Sequence, residues 1–428
     1  MVRLLGGLVL WIMTLYCGPK RRHGRGRGRE GTGLYPELAA LGFSEGVSPA
    51  LASRVARQTA LLPSYEVARS ELADNGLVLN IKEVHRIAKQ LGAEVLTMRK
   101  RDLDRYRAGE LPAGSALRGK RVGVAIDGGR VRTRLVIRKQ RGKGKSKKQR
   151  RRLRVEWREP KLLIVFELDE HGRMKAKTRP WIDGTFQGPD ACMELLALHL
   201  HRLGAAEAEQ VVFLSDGAPW IWERVPWVVK RVGLRAEQVI RVLDFCHAVH
   251  HVSLALAGLN LTSDERQRWY RTLRKQLRAG QAYQVTASLS LLAEEKCGTE
   301  AAWTAIHFLE KHASAGHLRY REFRRLGVPV GSGAIESAIR RVVNLRLKGN
   351  GLLWYIDNAE GMLVLRAAAL TGRWQETLAE VRETMARDRR LDWQWVGPDM
   401  SAELKAPDAI KPPEAQPKGE TRTTDKAA

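Results

Sequence analysis

The sequence predicts a mixed α/β protein, with a sheet interrupted by an all-helical insertion and preceded by a small helical region. Three observations carry the prediction. Short β-type apolar runs, Val122 to Asp127, Gln210 to Asp216 and Val239 to Asp244, each end in a carboxylate, and helical periodicity separates the later ones. The stretch from Leu254 to Arg325 holds helical segments and no strand signal. From Tyr35 to about Gly92, short capped helices succeed one another.

The chain has 428 residues, long enough for two or three domains. Its 74 Lys and Arg against 47 Asp and Glu leave +27, a surplus that points to a polyanionic partner, with nucleic acid ahead of an anionic membrane surface. Four scattered cysteines, Cys17, Cys192, Cys246 and Cys297, form no C-x-x-C pair, which argues against a disulfide framework and fits a reducing compartment. No apolar run reaches the roughly 18 residues of a membrane span.

Residues 1–34 read as an abbreviated strand pair and a basic arm. Leu4 to Cys17 imitates a signal peptide but lacks a small-x-small cleavage site, and Gly6-Gly7 suits a turn between two strands. Lys20 to Arg29, basic and glycine-rich, is either a phosphate-contacting arm or a solvated linker.

Residues 35–96 read as a helix-turn-helix-like region. Ser48 opens a helix to Ala60 with Leu51 and Val55 inward, and Ser64 caps a second with Val67, Ala68 and Leu72 inward. Asn80-Ile-Lys-Glu83 is a capping box for a third helix through Leu91, with Ile81, Val84, Ile87 and Leu91 on one face. In a DNA-binding module that helix offers Lys82, His85, Arg86 and Lys89 to a groove, although trihelical folds without DNA share the pattern. Residues 97–118, broken by Gly109, Pro112 and Gly114, read as a linker.

Residues 119–251 hold the first part of the sheet. After the strand to Asp127, Val131 to Arg138 alternates with Val131, Thr133, Leu135 and Ile137 on one side. In Arg138 to Arg154, eleven of seventeen residues are Lys or Arg, including Arg150, Arg151 and Arg152, and the run is expected to be a flexible, phosphate-binding loop. Its Gly142-Lys-Gly-Lys-Ser lacks the spacing of a phosphate-cradling loop, so no nucleotide cofactor is implied. Leu162 to Leu168 is a strand, His171-Gly172 a turn, Met174 to Ile182 a third strand, and Asp190 to Gly204 an amphipathic helix. Residues 252–325 are the helical insertion, and in residues 326–395 Val328 begins a short strand and glycine turn that opens a helix with Glu336 in its first turn. Residues 396–428 form a tail too poor in apolar residues to build a core.

Asp127, Asp216 and Glu336 therefore share a pattern, each at a strand end or helix start beside glycine. Asp-Gly alone is usually a turn, but carboxylates converging at one sheet edge can hold two divalent cations for phosphoryl transfer. Hard oxygen ligands favour Mg²⁺ or Mn²⁺.

Ile126-Asp-Gly-Gly, Leu214-Ser-Asp-Gly-Ala-Pro-Trp-Ile-Trp222, Leu243-Asp-Phe-Cys-His247, and Gly331-Ser-Gly-Ala-Ile-Glu-Ser337 through Lys348-Gly-Asn-Gly-Leu-Leu-Trp354 resemble the DDE transposases of ISKra-type insertion sequences, relatives of the Mutator-like group. The resemblance covers roughly Tyr35 to Trp374 and implies an RNase H-like core, a metal-binding triad of Asp127, Asp216 and Glu336, and an insertion domain ahead of Glu336. Asp244-x-x-His247 matches an auxiliary element of that family. The short amino terminus departs from its pattern, because related proteins are longer there.

His247 then either orients a carboxylate or is structural, and zinc binding by Asp244, Cys246, His247, His250 and His251 is disfavoured by their mixed spacing. Trp220 and Trp222 either stack on an unpaired base or pack in the core, with packing favoured. Arg340, Arg341, Arg346 and Lys348 are expected to grip DNA backbone, the alternative being an Arg340–Glu336 ion pair. The expected function is metal-dependent cleavage of double-stranded DNA at element ends and transfer of the 3′-hydroxyl into target DNA. That function implies a homo-oligomer on DNA, in the cytoplasm and associated with the nucleoid. A structure-selective nuclease on the same fold and a non-catalytic DNA-binding descendant are the alternatives.

Overall fold

Five short strands pair into one mixed sheet at the centre of the computed structural model, which describes residues 1–17, 35–140, 150–349 and 351–391. In chain order the elements begin with β1 (Val2–Arg3), β2 (Val9–Leu10), α1 (Pro36–Ala40), α2 (Pro49–Leu61), α3 (Tyr65–Asp74) and α4 (Ile81–Arg107). There follow β3 (Arg121–Gly128), β4 (Val131–Gln140), β5 (Arg150–Arg158), β6 (Lys161–Glu167), β7 (Trp181–Thr185), α5 (Pro189–Leu203) and β8 (Gln210–Ser215). Next come α6 (Pro219–Trp222), α7 (Val225–Val232), β9 (Val239–Leu243), α8 (Phe245–Ala257), α9 (Ser263–Arg278), α10 (Ala282–Glu295), α11 (Glu300–Ser314) and α12 (Tyr320–Arg325). The chain continues with α13 (Gly333–Ile339), a π-helical turn at Arg340–Asn344, α14 (Leu345–Leu347), α15 (Ile356–Leu370) and α16 (Trp374–Leu391).

The central sheet has the order β7-β6-β3-β8-β9. Strand β3 runs antiparallel to β6 and parallel to β8, and β8 runs parallel to β9. Its strands are near-continuous apolar runs because both faces are covered. One face carries Ala125, Leu162 and Leu214 into a core shared with the insertion helices, α13 and α15, and the other carries Val124, Ile126, Leu163 and Phe213 against α5 and α7. The insertion is helical from α8 through α12, as its periodicity indicates.

Met1–Arg387 is one compact unit, and the described part of the second, Asp388–Ala428, is the end of α16. No helix among the described residues is long and apolar enough to cross a membrane. The Lys20 to Arg29 arm and residues 396–428 lie outside the described residues.

Several sequence expectations are corrected. The linker expected at 97–118 is helical to Arg107, because Val95, Met98 and Tyr106 continue the buried stripe of α4 and no breaker intervenes before Gly109. The capping box of Asn80 and Glu83 is present, and α2, α3 and α4 do form three successive helices. Gly92 and Gly361 let α4 and α15 approach closely, so a Cβ on Gly92 would meet the Gly361 backbone at 3.1 Å. Val67 is exposed rather than inward. The strand expected from Met174 starts only at Trp181, since Lys177 has a positive φ and Pro180 has no N–H to donate. Residues 328–332 form no strand.

The basic run from Arg138 to Arg154 is not all loop. β4 and β5 form a separate antiparallel ribbon in which Arg138 pairs with Arg152, Lys139 with Arg151 and Gln140 with Arg150, while residues 141–149 lie outside the described residues. The alternation expected for β4 holds at its root, where Val131 and Thr133 are buried, and fails beyond it, where Leu135 and Ile137 are exposed.

Candidate active site at the ends of the central strands

Parallel pairing of β3 with β8 places Ala125 opposite Leu214, so Asp127 and Asp216 leave the sheet side by side. Ser215 Oγ donates to the Ile126 carbonyl at 3.4 Å, tying the two strand ends together. Leu243 in turn lies opposite Ser215, which puts Asp244 at the third adjacent strand end, and the Asp244 N–H donates to the Ser215 carbonyl at 2.8 Å.

The three acids do different work. Asp127 is half-buried, and its Oδ1 accepts from the Gly128 N–H at 2.6 Å. Burial first, then the negative charges of Asp216 and Glu159, push its carboxyl up to about 6 against the opposing pull of the Gly128 N–H and of His247. Asp216 accepts from the Ala218 N–H at 3.0 Å and from Ser215 Oγ at 3.1 Å, which folds the chain into a tight turn. That turn requires glycine at 217, where φ is +89° and a Cβ would lie 2.5 Å from the Phe308 ring of α11.

Asp244 is buried and spends both oxygens on backbone. Oδ1 accepts from the His247 N–H at 2.8 Å, capping α8, and Oδ2 accepts from the Ser332 N–H at 2.5 Å. The Phe245 N–H donates to the Val330 carbonyl at 2.8 Å. These bonds fix the Gly331-Ser-Gly turn from which α13 departs.

Glu336 sits exposed in the first turn of α13, which packs against β3 and β6, and its Oε1 accepts from Ser332 Oγ at 2.9 Å. Its charge is felt at Cys246, whereas that of Asp216 is felt at Asp127 and His251. Among the described residues, Asp127, Asp216 and Glu336 included, no three His, Cys, Asp or Glu side chains converge closely enough to hold a metal ion. The site is a carboxylate pair with a third acid held on a neighbouring helix. The same holds for Asp244, Cys246, His247, His250 and His251, which form no metal-holding cluster.

Both tryptophans after Asp216 are engaged within the protein. Lys161 Nζ lies 4.4 Å from the Trp220 ring centroid, and Trp222 stacks on His317 at 4.4 Å. His317 Nδ1 and His312 Nδ1 are 2.9 Å apart, and burial holds both imidazoles far below the usual histidine range, at about 3 and about 4. Strand end and insertion are thereby packed together through rings.

Of the expected DNA contacts, Arg340, Arg341 and Lys348 are exposed, and among the described residues no ion pair joins Arg340 to Glu336. Arg346 is corrected: it is 1% exposed, lies between the rings of Tyr65 and Trp354, and donates from Nε to the Thr59 carbonyl at 3.2 Å. The Thr59 carbonyl and the two aromatic faces hold the guanidinium in the interior, with Nη2 left without a hydrogen-bond partner, so it cannot reach a phosphate. Lys82 and Lys89 are exposed, Arg86 is paired with Glu45, and His85 packs on Tyr65 with ring centroids 4.9 Å apart. Arg150, Arg151 and Arg152 lie on β5, with their side chains outside the described residues.

Two residues escaped the sequence reading. Glu159 stands beside Asp127, where a Cβ on Gly128 would meet its Oε1 at 1.9 Å, and it binds the buried Lys161 Nζ at 2.6 Å. The only sequence signal was a charged Glu-Pro-Lys lead into an apolar strand, which carries no spatial information without the β3–β6 pairing.

Comparison with protein-family models, with curated proteins and with solved structures finds no match.

Proposed function

We propose that the protein is a DNA transposase of the DDE type, cutting phosphodiester bonds at element ends and joining the freed 3′-hydroxyl to target DNA. The observation that carries the reading is the pair Asp127 and Asp216 at neighbouring parallel strand ends, with Asp127 pushed up to about 6 by burial and in smaller part by its partner's charge. A mixed sheet whose central parallel strands both end in acids, with helices inserted before Glu336, supports an RNase H-like core. The excess of +27 supports a polyanionic substrate.

The donor set fits a hard divalent cation such as Mg²⁺ or Mn²⁺, because two hard carboxylates that repel one another gain most from a shared positive charge. When bound, the ion would activate a hydroxyl nucleophile and stabilise the leaving oxygen. Asp127 and Asp216 would hold it, and Glu336, which does not converge with them closely enough to share an ion here, would complete the set only by approaching from α13. Asp244 would fix the turn that aims Glu336. Arg340, Arg341 and Lys348 would contact phosphates beyond it, and the work would be done by a homo-oligomer on double-stranded DNA at the nucleoid.

Full-length protein with Mg²⁺ is expected to nick duplex DNA carrying the element's ends, and Asp127→Ala, Asp216→Ala and Glu336→Gln are each expected to lower the rate at least about a hundredfold. Retention of cleavage by all three variants would remove the triad. Cleavage without joining of pre-cut ends would instead assign a nuclease, and metal-independent affinity with no cleavage a DNA-binding descendant.

A further inference from the structure

We propose that the β4–β5 ribbon is a duplex-reading arm that enters the major groove of DNA beside the carboxylate pair. The proposal deepens the DNA reading above and rests on it. The ribbon rises four residues after Asp127 and belongs to no other sheet. Its root is clamped: Thr133 bridges to Trp354, the Arg134 N–H donates to the Trp354 carbonyl at 2.8 Å, and the Trp354 N–H donates to the Arg132 carbonyl at 3.2 Å. The arm is thus aimed by the segment between α14 and α15.

From its root outward, the ribbon contradicts what an isolated hairpin in water should look like. Cross-strand pairs Arg132–Trp157, Arg134–Val155 and Val136–Leu153 alternate along one face. All four apolar members of that face are exposed, Trp157 by 56% and Val155 by 52%. A two-stranded ribbon is marginal alone, and although Leu135 and Ile137 are exposed outside this face, four exposed apolar residues in register on it mark an interaction site.

Charge selects the occupant. Nine of the nineteen residues of β4 and β5 are Lys or Arg, and Glu156 is the only acid. A second copy of the same ribbon would be repelled, whereas a duplex offers phosphates for the arginines. The major groove admits a two-stranded ribbon, and its thymine methyl groups accept apolar side chains. Ten residues of β4 span about 33 Å, roughly one helical turn of DNA.

The test uses full-length Asp127→Asn protein, expected to bind without cutting, and a short fluorescein-labelled DNA duplex. Replacing both Trp157 and Val155 by Ser should weaken binding about tenfold or more and abolish protection of guanine N7 from dimethyl sulfate in the major groove. Both side chains are exposed, so circular dichroism should be unchanged. Unaltered affinity and unaltered N7 protection would overturn the arm while leaving the DNA reading in place. A change in self-association without a change in DNA affinity would assign the face to a second copy and also overturn it. Failure of the parent protein to bind any duplex would overturn arm and DNA reading together.

Discussion

Asp183 and Asp127 lie on the same sheet with only β6 between their strands, yet their surroundings drive them in opposite directions. Burial alone would raise the Asp183 carboxyl, but Arg99 at 3.0 Å and His199 at 2.8 Å overcome it and hold the group down to about 2. Arg99 also pairs with Glu360 at 2.5 Å, and Glu360 accepts from the Phe186 N–H at 2.6 Å, so the network ties α4, β7, α5 and α15 together. Asp127 has burial without an ion-paired Arg or Lys, and the carboxylates of Asp216 and Glu159 add to a cost that the pull of the Gly128 N–H and of His247 does not offset. A buried acid given its counter-charge within the fold belongs to the fold. One denied it is held ready for a charge from outside.

Removing Asp183 is therefore expected to produce the largest loss. Asp183→Ala takes the shared carboxylate from Arg99 and His199, leaving Arg99 with Glu360 alone, and a broken buried pair costs up to about 3–5 kcal/mol, read as a lower urea midpoint at neutral pH. Because the folded group titrates at about 2, below its usual 3.8, its contribution is complete above about pH 4. The difference between wild type and variant should narrow as the pH falls from 4 toward 2.

The opposite sign is expected at Asp127. The folded group holds its proton up to about pH 6 while the unfolded group releases it near 3.8, so the native state binds the extra proton between those values and loses stability as the pH rises through them. Discounted for the half-open site, ionisation costs on the order of 2 kcal/mol at neutral pH. Asp127→Asn should recover that amount at pH 7 and nothing near pH 4, while eliminating cleavage. Mg²⁺ should raise the melting temperature of the wild type and leave that of the variant unmoved. A destabilised Asn variant at pH 7 would mean that the comparison with Asp183 had misjudged which acid the fold needs.

The sequence made one of these acids visible and hid the other. Asp127, Asp216 and Asp244 end apolar runs and stand beside glycine or a helix start, a local signal readable without pairing. Asp183 lies inside Trp-Ile-Asp-Gly-Thr, and its partners are 84 and 16 residues away in sequence. Arg346 misled for a related reason: arginine is ordinarily a surface residue, and of the two rings that enclose it only Trp354 is near in sequence, whereas Tyr65 comes from a distant segment. The ribbon was half legible. Strand alternation was readable in Val131 to Thr133, but the density of Lys and Arg concealed that the pairing continues through Gln140 and Arg150.

Asp244 lies between the two extremes and carries the smallest expected effect. It is buried like Asp183, but backbone N–H groups rather than a cation satisfy it, one at the start of α8 and one at Ser332. Asparagine can accept at only one of its two terminal atoms, so Asp244→Asn must present an NH₂ to one of those donors and give up a bond worth about 1–2 kcal/mol. The donor more easily released is Ser332, which lies in a turn, whereas His247 is held by helix α8. Loosening Ser332 also loosens its Oγ contact to Glu336, so the injury should pass to the third acid without touching the residues proposed to contact DNA. Cleavage by Asp244→Asn should fall in its maximal rate while affinity for duplex stays at the wild-type value. A variant equally weakened in both would place Asp244 with Asp183 as a support of the fold, and the distinction between acids that hold the structure and acids that aim a neighbour would have to be redrawn.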